Sequence, residues 1–387
     1  MGTTILKTGL AGAAALTLMA TTAEAGGFGR GEADTDLLYQ EGSGAIHVKG
    51  VYVAPRRGYA TVDGKTSNDD SHLDNYFVPS IGVMARMSDN LACAGTYTQP
   101  FGASSTYGPD AQAADILHSG SGNATLEAGF RTREYGLTCS VGLDLEKGRF
   151  SFLGGIFHQS FDYKEVSKYG TLRLADDSEI GYRLGAAYEI PEIALRADIL
   201  YRSQIDHKGS GSFTISADGA GIFGAPEGYQ LAASGWGSLP QSVKVGLQSG
   251  IAPGWVAFGA VKWTDWSVLP ALNYTIAGLG ALEKNFNFRD GWTITGGIGH
   301  TFTDTVSGAV SVTWDRGVGT GADILTDTWT LGLGTAIKSG PGEFRIGGAV
   351  TYLTSGSQVY GPSLADYDAT VGGDFAYGAS ISYLLKF

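Results

Sequence analysis

The sequence predicts an all-β protein, a 14-stranded antiparallel transmembrane β-barrel. Composition, residue alternation and connection lengths all point to this fold. The chain of 387 residues has 60 glycines and 11% aromatic residues but only 17% charged residues, fewer than most soluble domains carry. Lipid-facing and lumen-facing side chains cancel in the average hydropathy of a barrel, and the mean hydropathy here is +0.00.

Residues 1–25 have the composition of a cleaved signal peptide. Lys7 precedes the apolar run LAGAAALTLMA, which is too short to span a bilayer as a helix. Ala23 and Ala25 then form the small-residue pattern that precedes a cleavage site. The alternative is a buried N-terminal helix. We expect residues 1–25 to be removed and the mature chain to begin at Gly26.

Fourteen segments alternate between apolar and small or polar residues, as strands with one lipid-facing and one lumen-facing side do. They are 46–58, 76–87, 91–101, 129–143, 149–162, 180–190, 194–206, 241–250, 255–267, 291–302, 306–316, 328–338, 343–354 and 374–387. An even number of strands is expected for a bacterial single-chain barrel.

The connections between these segments alternate in length. Six are short: SDN, DLEKG, IPEI, GIAPG, TDT and SGPG. Between them lie longer loops rich in Gly, Asp and Ser, the longest around 207–240. Short periplasmic turns and long outer loops are typical of outer-membrane barrels, whereas a sandwich or propeller has no reason to alternate its loops in this way.

The last segment, FAYGASISYLLKF, ends on an aromatic residue. Its apolar row runs from Phe375 to Phe387, and the intervening row is small or polar apart from Leu384. We expect Phe387 to close the last strand at the periplasmic rim. Its position resembles the C-terminal aromatic signal by which the barrel assembly machinery recognises outer-membrane barrels.

Motifs for catalysis are absent or lack their structural context. The stretch GAGIFG matches the dinucleotide fingerprint but lies in the longest predicted outer loop, without a strand and helix around it. The six histidines are scattered, and acidic loop clusters are more typical of solvated loop tips than of cation sites. We therefore expect no enzyme, no cofactor and no metal. The net charge of −12 also argues against a nucleic-acid partner.

Cys93 and Cys139 lie near the periplasmic ends of adjacent predicted strands. In the alternation of side chains along each strand, both fall on the side that faces outward. In an exported protein an even cysteine count suggests pairing. The sequence leaves two interpretations open: a cross-strand disulfide, or two small lipid-facing thiols.

Several motifs resemble those of the FadL-type family of outer-membrane hydrophobe transporters (OmpP1/FadL/TodX-like). The stretch LPQSVKVGLQSGIAPGWVAFGAVKWTDWS (239–267) is similar to the family's LP-x-S strand and the W-T-D-W strand that follows it. The segments NFNFRDGWTITGGIGHTF (285–302), TQPFGASSTY (98–107) and YRSQIDHKGSG (201–211) resemble further family segments in the same order. Members of that family have fourteen strands, in agreement with the count above.

The resemblance implies a short N-terminal hatch segment in the lumen, here residues 26–44, followed by the barrel, residues 45–387. The hatch residues would be Phe28, Leu37, Leu38 and Tyr39. The family's N-P-A-G is missing from the hatch, where LYQEG (38–42) stands instead, and its D-x-x-P is missing after segment 306–316. Family members capture hydrophobic ligands with outer loops and release them sideways through a break near the third strand. Pro100, Phe101 and Gly102 would form that lateral opening.

Two groups of residues are candidates for contact with the ligand. The outer loops contain apolar residues that would shield an alkyl chain, at about 0.8 kcal/mol per buried CH₂, or would pack together as a lid: Phe213, Ile222, Phe223, Trp236, Phe286 and Phe288. Four inward-facing cations are candidates for a ligand carboxylate: Arg196, Arg202, Lys244 and Lys262. The arginines have acids nearby on their own strands, Asp198 and Asp206. Alternatively, they would form ion pairs with these acids and stabilise the lumen.

The predicted function is uptake of hydrophobic compounds, long-chain fatty acids or aromatic hydrocarbons, by passive diffusion through the hatch-plugged barrel with lateral exit. The expected location is the bacterial outer membrane. The expected partners are the hydrophobic ligand, outer-membrane lipid and lipopolysaccharide, and the assembly machinery; the protein is expected to be a monomer. The alternatives are a general diffusion porin for small polar solutes, a structural or adhesive barrel, and an outer-membrane lipase.

Overall fold

The computed structural model of the protein describes residues 27–387, so the predicted signal peptide lies outside the described residues. This part of the chain is built mainly of strands. The strands are β1 (Gly44–Arg56), β2 (Thr61–Val62), β3 (Lys65–Thr66), β4 (Tyr76–Ser88), β5 (Leu91–Thr98), β6 (Gly102–Thr106), β7 (Thr125–Asp144), β8 (Arg149–Ser167), β9 (Gly170–Ile190), β10 (Leu195–Arg202), β11 (Ile205–Ile215), β12 (Gln230–Leu239), β13 (Ser242–Ala252), β14 (Trp255–Thr264), β15 (Ala271–Ile276), β16 (Gly280–Asn285), β17 (Gly291–Thr301), β18 (Val306–Asp315), β19 (Thr328–Ser339), β20 (Gly342–Leu353), β21 (Gly356–Gln358), β22 (Ala369–Val371) and β23 (Asp374–Lys386).

Short helices complete the described chain. The α-helices are α1 (Pro109–His118) and α2 (Ala217–Phe223), and 3-10 helices span Thr35–Tyr39, Pro191–Ile193 and Trp266–Val268. Within residues 27–387, none of the helices has the length and apolar character needed to cross a membrane.

The main sheet closes on itself as a 14-stranded antiparallel barrel, which confirms the predicted fold. Strand β1 pairs with both β4 and the last strand, β23. Nine barrel strands are continuous, and five are interrupted into consecutive pairs of segments: β5 and β6, β10 and β11, β12 and β13, β14 and β15, and β16 and β17. A second, small sheet of β21, β22, β2 and β3 lies outside the barrel wall, in the long loops.

Side chains alternate across the barrel wall as the sequence predicts. In β19, Trp329, Leu331 and Leu333 are exposed on the outside, whereas Thr328 and Thr330 are buried on the inside. The inward hydroxyl of Thr330 lies 2.8 Å from that of Thr351 on the adjacent strand. The wall therefore has an apolar outer face and a small or polar inner face.

Both chain ends of the barrel meet at the end that carries the short turns, here called the short-turn end. The Phe387 amide donates to the Gly44 carbonyl at 3.0 Å, and the Gly44 amide donates to the Phe387 carbonyl at 2.8 Å. Phe387 thus joins the last strand to the first, and its exposed ring lies at the rim.

At the opposite end, here called the long-loop end, an arc of aromatic residues faces outward from successive strands. The indoles of Trp263 and Trp314 donate to Asp290 and Asp327 at 3.0 and 3.3 Å. Trp329 lies next to Trp314 in register. Trp266, by contrast, is fully buried inside the barrel because it follows the end of β14 in a 3-10 helix that turns inward.

The prediction of a long outer loop at 207–240 is wrong, because strands β11 and β12 occupy most of it. They pair from Ile205↔Leu239 to Thr214↔Gln230. The outward side chains of β11 include Lys208 and Ser210, so the ladder continues although the apolar–polar contrast is lost. The hairpin β15–β16 similarly occupies part of 268–290.

The glycine-rich stretch GAGIFG forms most of α2 at the tip of this extension. The Ser216 side chain caps the helix by accepting from the Gly219 amide at 3.1 Å. Gly224 ends it with φ of 64°, in the left-handed region that glycine adopts readily. Its glycines lie within and at the end of this seven-residue helix, whereas a dinucleotide fingerprint places them in a tight turn between a parallel strand and a long helix.

A disulfide joins Cys93 on β5 to Cys139 on β7, with the two sulfurs 2.07 Å apart. The two residues lie directly opposite each other in the ladder. Leu137 and Val141, which share the parity of Cys139, are exposed on the outer face. The disulfide therefore lies on the lipid-facing side of the third and fourth barrel strands.

Candidate functional site

The N-terminal segment, residues 27–43, contacts the inner face of the barrel from Phe28 to Tyr39. Near the short-turn end, Leu37 and Leu38 of the first 3-10 helix are 1% and 3% exposed. They pack in one cluster with inward-facing apolar residues of six strands, including Met84, Leu153 and Leu384. This turn therefore buries two leucines in an apolar cluster on the inner face of the barrel.

Acidic residues at every second position of the N-terminal segment meet basic groups of the wall. Glu32 Oε2 lies 2.6 Å from Lys244 Nζ, and Glu32 Oε1 lies 2.7 Å from Lys262 Nζ. Asp34 hydrogen-bonds to His47. Asp36 lies 3.3 Å from Arg196.

The sequence predicts that Lys244 and Lys262 face inward, and the structure places them directly opposite each other on adjacent strands. Their acidic partner was missed, because Glu32 comes from more than 200 residues away along the chain. The alternating acids in GEADTD were the one signal that pointed to such pairing.

Arg196 and Arg202 both pair inside the lumen, as the alternative to ligand binding anticipates. Arg196 lies 3.7 Å from Asp198 and over the ring of Tyr39 at 4.7 Å. Arg202 pairs with Glu134 at 2.8 Å. The expected pairing of Arg202 with Asp206 is wrong: the interruption between β10 and β11 reverses the alternation, so Asp206 faces outward and binds Gln204 and Ser238.

Glu134 is the centre of a buried polar network. It accepts from Arg183 and Arg202 and, at 3.2 Å, from Gln159. The network continues from Gln159 to His207 at 3.1 Å. A buried carboxylate is tolerable only when it is paired and hydrogen-bonded, and two guanidinium groups meet that requirement here.

Further towards the long-loop end, Phe28 of the N-terminal segment lies among four aromatic rings, here called the Phe28 box. Its ring centroid lies 5.2 Å from that of Phe130, 5.8 Å from Trp266, 5.3 Å from Phe286 and 5.2 Å from Phe288. All four contacts are edge to face, the arrangement that aromatic pairs prefer.

The residues predicted as capture loops divide between this interior and the surface. Phe286 and Phe288 line the Phe28 box, and Phe213 is buried against Phe223 at 6.0 Å. Ile222 and Trp236 are both 58% exposed. Two of the six residues are therefore accessible to a ligand from outside, while the others pack together.

Three cavities adjoin the N-terminal segment. The lumen cavity, about 270 Å³, is lined by Glu32, Lys244, Lys262, Phe101 and Trp266. A second cavity of about 230 Å³, here called the upper cavity, lies towards the long-loop end. Arg30 lines both the upper cavity and the lumen cavity. A third, about 40 Å³, lies beside Phe28 and is almost wholly apolar. The N-terminal segment therefore lies between the upper cavity and the lumen.

The upper cavity mixes aromatic and charged groups. His72 stacks on Tyr59 with ring centroids 4.4 Å apart, and Lys284 pairs with Asp366 at 2.6 Å. Burial, together with the nearby charge of Arg57, lowers the pKa of His72 to about 4. His72 is therefore neutral at physiological pH, and the charge in this cavity comes from the lysine, aspartate and arginine side chains.

The barrel wall is interrupted at Pro100 and Phe101, between β5 and β6. Thr98 pairs with Glu134 and Gly102 pairs with Arg131, so three residues on the third strand face two on the fourth. The extra residue breaks the ladder, as in a β-bulge. Phe101 turns inward and contacts Trp266 at 5.5 Å.

Backbone hydrogen bonds connect this interruption to the N-terminal segment. The Pro100 carbonyl accepts from the Arg30 amide at 2.8 Å, and the Gly102 amide donates to the Phe28 carbonyl at 2.9 Å. On the other side, the Thr132 amide donates to the Phe101 carbonyl at 3.0 Å. The three residues predicted for a lateral opening therefore lie between the N-terminal segment and the fourth strand.

One protein-family model matches the chain. It is described as outer membrane protein transport protein (OMPP1/FadL/TodX), and it matches residues 13–307. No curated protein sequence matches the chain.

Solved structures of three transporters or their homologues share the fold at low sequence identity. A FadL homologue of Pseudomonas aeruginosa superposes with a TM-score of 0.73 at 14% identity, covering 91% of this chain and 92% of that one. The toluene transporter TodX of Pseudomonas putida gives 0.61 at 12% identity, covering 94% and 97%. The toluene transporter TbuX of Ralstonia pickettii gives 0.60 at 12% identity, covering 90% of each chain.

Proposed function

Because the chain belongs to the family of outer membrane protein transport proteins described as OMPP1/FadL/TodX, we propose that it takes up hydrophobic compounds across the bacterial outer membrane by passive diffusion. The ligands are long-chain fatty acids or aromatic hydrocarbons. Residues 27–43 act as a hatch, and the ligand leaves the lumen sideways through the wall at Pro100 and Phe101.

The observation that carries this proposal is the filling of the lumen by the hatch. Leu37 and Leu38 form an apolar plug near the short-turn end, which faces the periplasm in an outer-membrane barrel. A general diffusion porin needs a continuous water-filled channel there. The buried leucines therefore favour a transporter with another exit over the porin alternative.

Energetics favour a sideways exit for an apolar ligand. Release into the periplasm exposes the ligand to water, at about 0.8 kcal/mol per CH₂ group. Release through the wall delivers it to the outer leaflet of the bilayer, where its apolar part enters the hydrocarbon core without that cost. At Pro100 the third strand has one residue more than the fourth strand between the flanking pairs, so the ladder is broken there.

The interior offers both an apolar and a charged site to a ligand. The aromatic box around Phe28 suits an alkyl or aryl group, and the Lys244–Lys262 pair suits a carboxylate. The hatch occupies both sites, with Phe28 and Glu32. We infer that a fatty acid competes with Glu32 for the lysines, whereas an uncharged hydrocarbon needs only the apolar site.

Deletion of Pro100 is expected to reduce uptake of a hydrophobic ligand about tenfold, because it removes the extra residue that interrupts the ladder. Thr98 and Gly102 keep their partners, Glu134 and Arg131. Between these pairs, the two remaining residues of the third strand then face two residues of the fourth strand. Uptake of radiolabelled oleate and toluene is measured in intact cells that lack their own hydrophobe transporter.

The matched control is Pro100→Ala, which changes the side chain but keeps the extra residue. It should transport at close to the wild-type rate. Both variants must migrate as folded barrels on unheated gels. If the deletion variant is folded and transports as fast as wild type, the exit is not at this interruption.

A further inference from the structure

The apolar outer face of β7 ends abruptly in two arginines. Four of its outward residues, Leu143, Val141, Leu137 and Tyr135, are exposed and mainly apolar, and the fifth is the disulfide-bonded Cys139. This row spans about 26 Å along the strand, or about 20 Å of membrane height at the usual tilt. Arg133 and Arg131 follow with the same outward parity. They therefore lie at the level of the lipid head groups of the outer leaflet.

Two more basic residues continue this surface on the next strands. Lys164 on β8 and Arg173 on β9 lie directly opposite each other in the ladder, and both are solvent-accessible. Like charges directly opposite each other destabilise a sheet. An anion bound between them would remove that cost.

The basic patch, defined as Arg131, Arg133, Lys164 and Arg173, is only partly neutralised by acids of the same face. Asp162 pairs with both Arg131, at 3.6 Å, and Arg133, and Glu127 pairs with Lys164 at 2.9 Å. Asp177, which is exposed on the same strand as Arg173, adds a third acid. Four basic groups thus exceed three acids by one, in a chain whose net charge is −12.

The patch occupies one side of the rim only. On the strands from β14 to β23 the corresponding outward positions hold aromatic residues, among them Trp292, Trp329 and Tyr352. Aromatic residues suit any membrane interface. Guanidinium groups instead match phosphate, which they bind with two parallel hydrogen bonds.

We propose that the basic patch binds the phosphate groups of the anionic glycolipid that forms the outer leaflet of the outer membrane. Arg131, with a side chain 62% exposed, and Arg173 provide the guanidinium groups. The site is separate from the lumen, and it adjoins the wall interruption because Arg131 pairs with Gly102. It binds whether or not the barrel transports a hydrophobe.

The test is a titration of the full-length, detergent-solubilised barrel with bisphosphorylated lipid A. The double variant Arg131→Gln with Arg173→Gln is expected to bind at least about tenfold more weakly than wild type, because two charge-assisted hydrogen bonds are lost. The matched control, Lys65→Gln with Lys147→Gln, removes the same charge from an outer loop and a short turn, where both lysines are exposed. It should bind as wild type does.

Two further titrations define the ligand. Removal of the phosphates from lipid A should weaken binding to the wild type. The loss should equal the one that the double variant shows with bisphosphorylated lipid A. Phosphatidylglycerol, which has a single phosphate and no sugar, should bind more weakly than lipid A. Equal affinity of the folded double variant and the wild type for lipid A overturns the proposal, as does binding of phosphatidylglycerol as tight as that of lipid A. If the double variant fails to fold, Arg173→Gln alone serves, with Lys65→Gln as its control.

Discussion

Removal of residues 27–40 is expected to raise the single-channel conductance in planar bilayers about tenfold or more, because an open barrel of this size leaves an aqueous channel. The deletion takes away the Leu37–Leu38 plug and the Glu32 bridge, so both the apolar seal and the charged contact across the lumen are lost. Residues 41–44 stay, because Gly44 holds Phe387 at the rim.

Point variants distinguish an effect of the Leu37–Leu38 plug on conductance from an unspecific effect of mutation on the barrel. Leu37→Ala with Leu38→Ala should give an intermediate conductance, because the plug shrinks while the rest of the segment stays. Leu117→Ala with Leu145→Ala changes two exposed leucines away from the lumen and should leave the conductance unchanged. A deletion variant that is folded but conducts no better than the full chain would show that residues 27–40 do not seal the lumen.

Lys244→Ala with Lys262→Ala is expected to slow oleate uptake at least about tenfold, because the loss of even one charge-assisted hydrogen bond to a carboxylate costs about 1.5–3 kcal/mol. Toluene uptake should change less than about twofold, since an uncharged ligand makes no such bond. Both rates are measured in intact cells that produce equal amounts of the barrel.

The control for the lysine pair is Lys338→Ala with Lys386→Ala, two partly buried lysines near the short-turn end. It should leave both ligands at the wild-type rate. Loss of Glu32's partners also loosens the hatch, so conductance is recorded for the same variants. Equal loss of oleate and toluene uptake would indicate a damaged lumen, and no loss of either would remove the lysines from the mechanism.

The fold could be predicted from the sequence because the bilayer imposes a simple contrast on each strand. Where one side faces lipid and the other the lumen, as in β19, alternation is visible in the residues themselves. Beyond the membrane the contrast disappears, so the β11–β12 extension was predicted as a loop although its ladder is continuous. Family resemblance supplied the expectation that an N-terminal segment enters the lumen and the position of the wall interruption, which periodicity alone does not reveal.

The site was less predictable because its contacts are long-range. The alternation of side chains along the strands placed Lys244 and Lys262 in the lumen, but nothing in the nearby sequence connects them to Glu32. The same alternation misplaced Asp206, because the interruption between β10 and β11 exchanges the inward-facing and outward-facing positions after it. Phe286 and Phe288 have the composition of a capture loop, but they fold inward around Phe28 because their apolar surface is better buried there.

The most direct test of hydrophobe transport compares two permeabilities in the same cells. The barrel is produced in a strain that lacks both general porins and its own hydrophobe transporter. Uptake of radiolabelled oleate and toluene is measured beside entry of a small polar β-lactam, followed by its hydrolysis in the periplasm. Production of the full-length barrel should raise uptake of at least one hydrophobic ligand and leave β-lactam entry at the background rate. Faster β-lactam entry without faster uptake of either hydrophobic ligand would contradict the account and identify the protein as a porin.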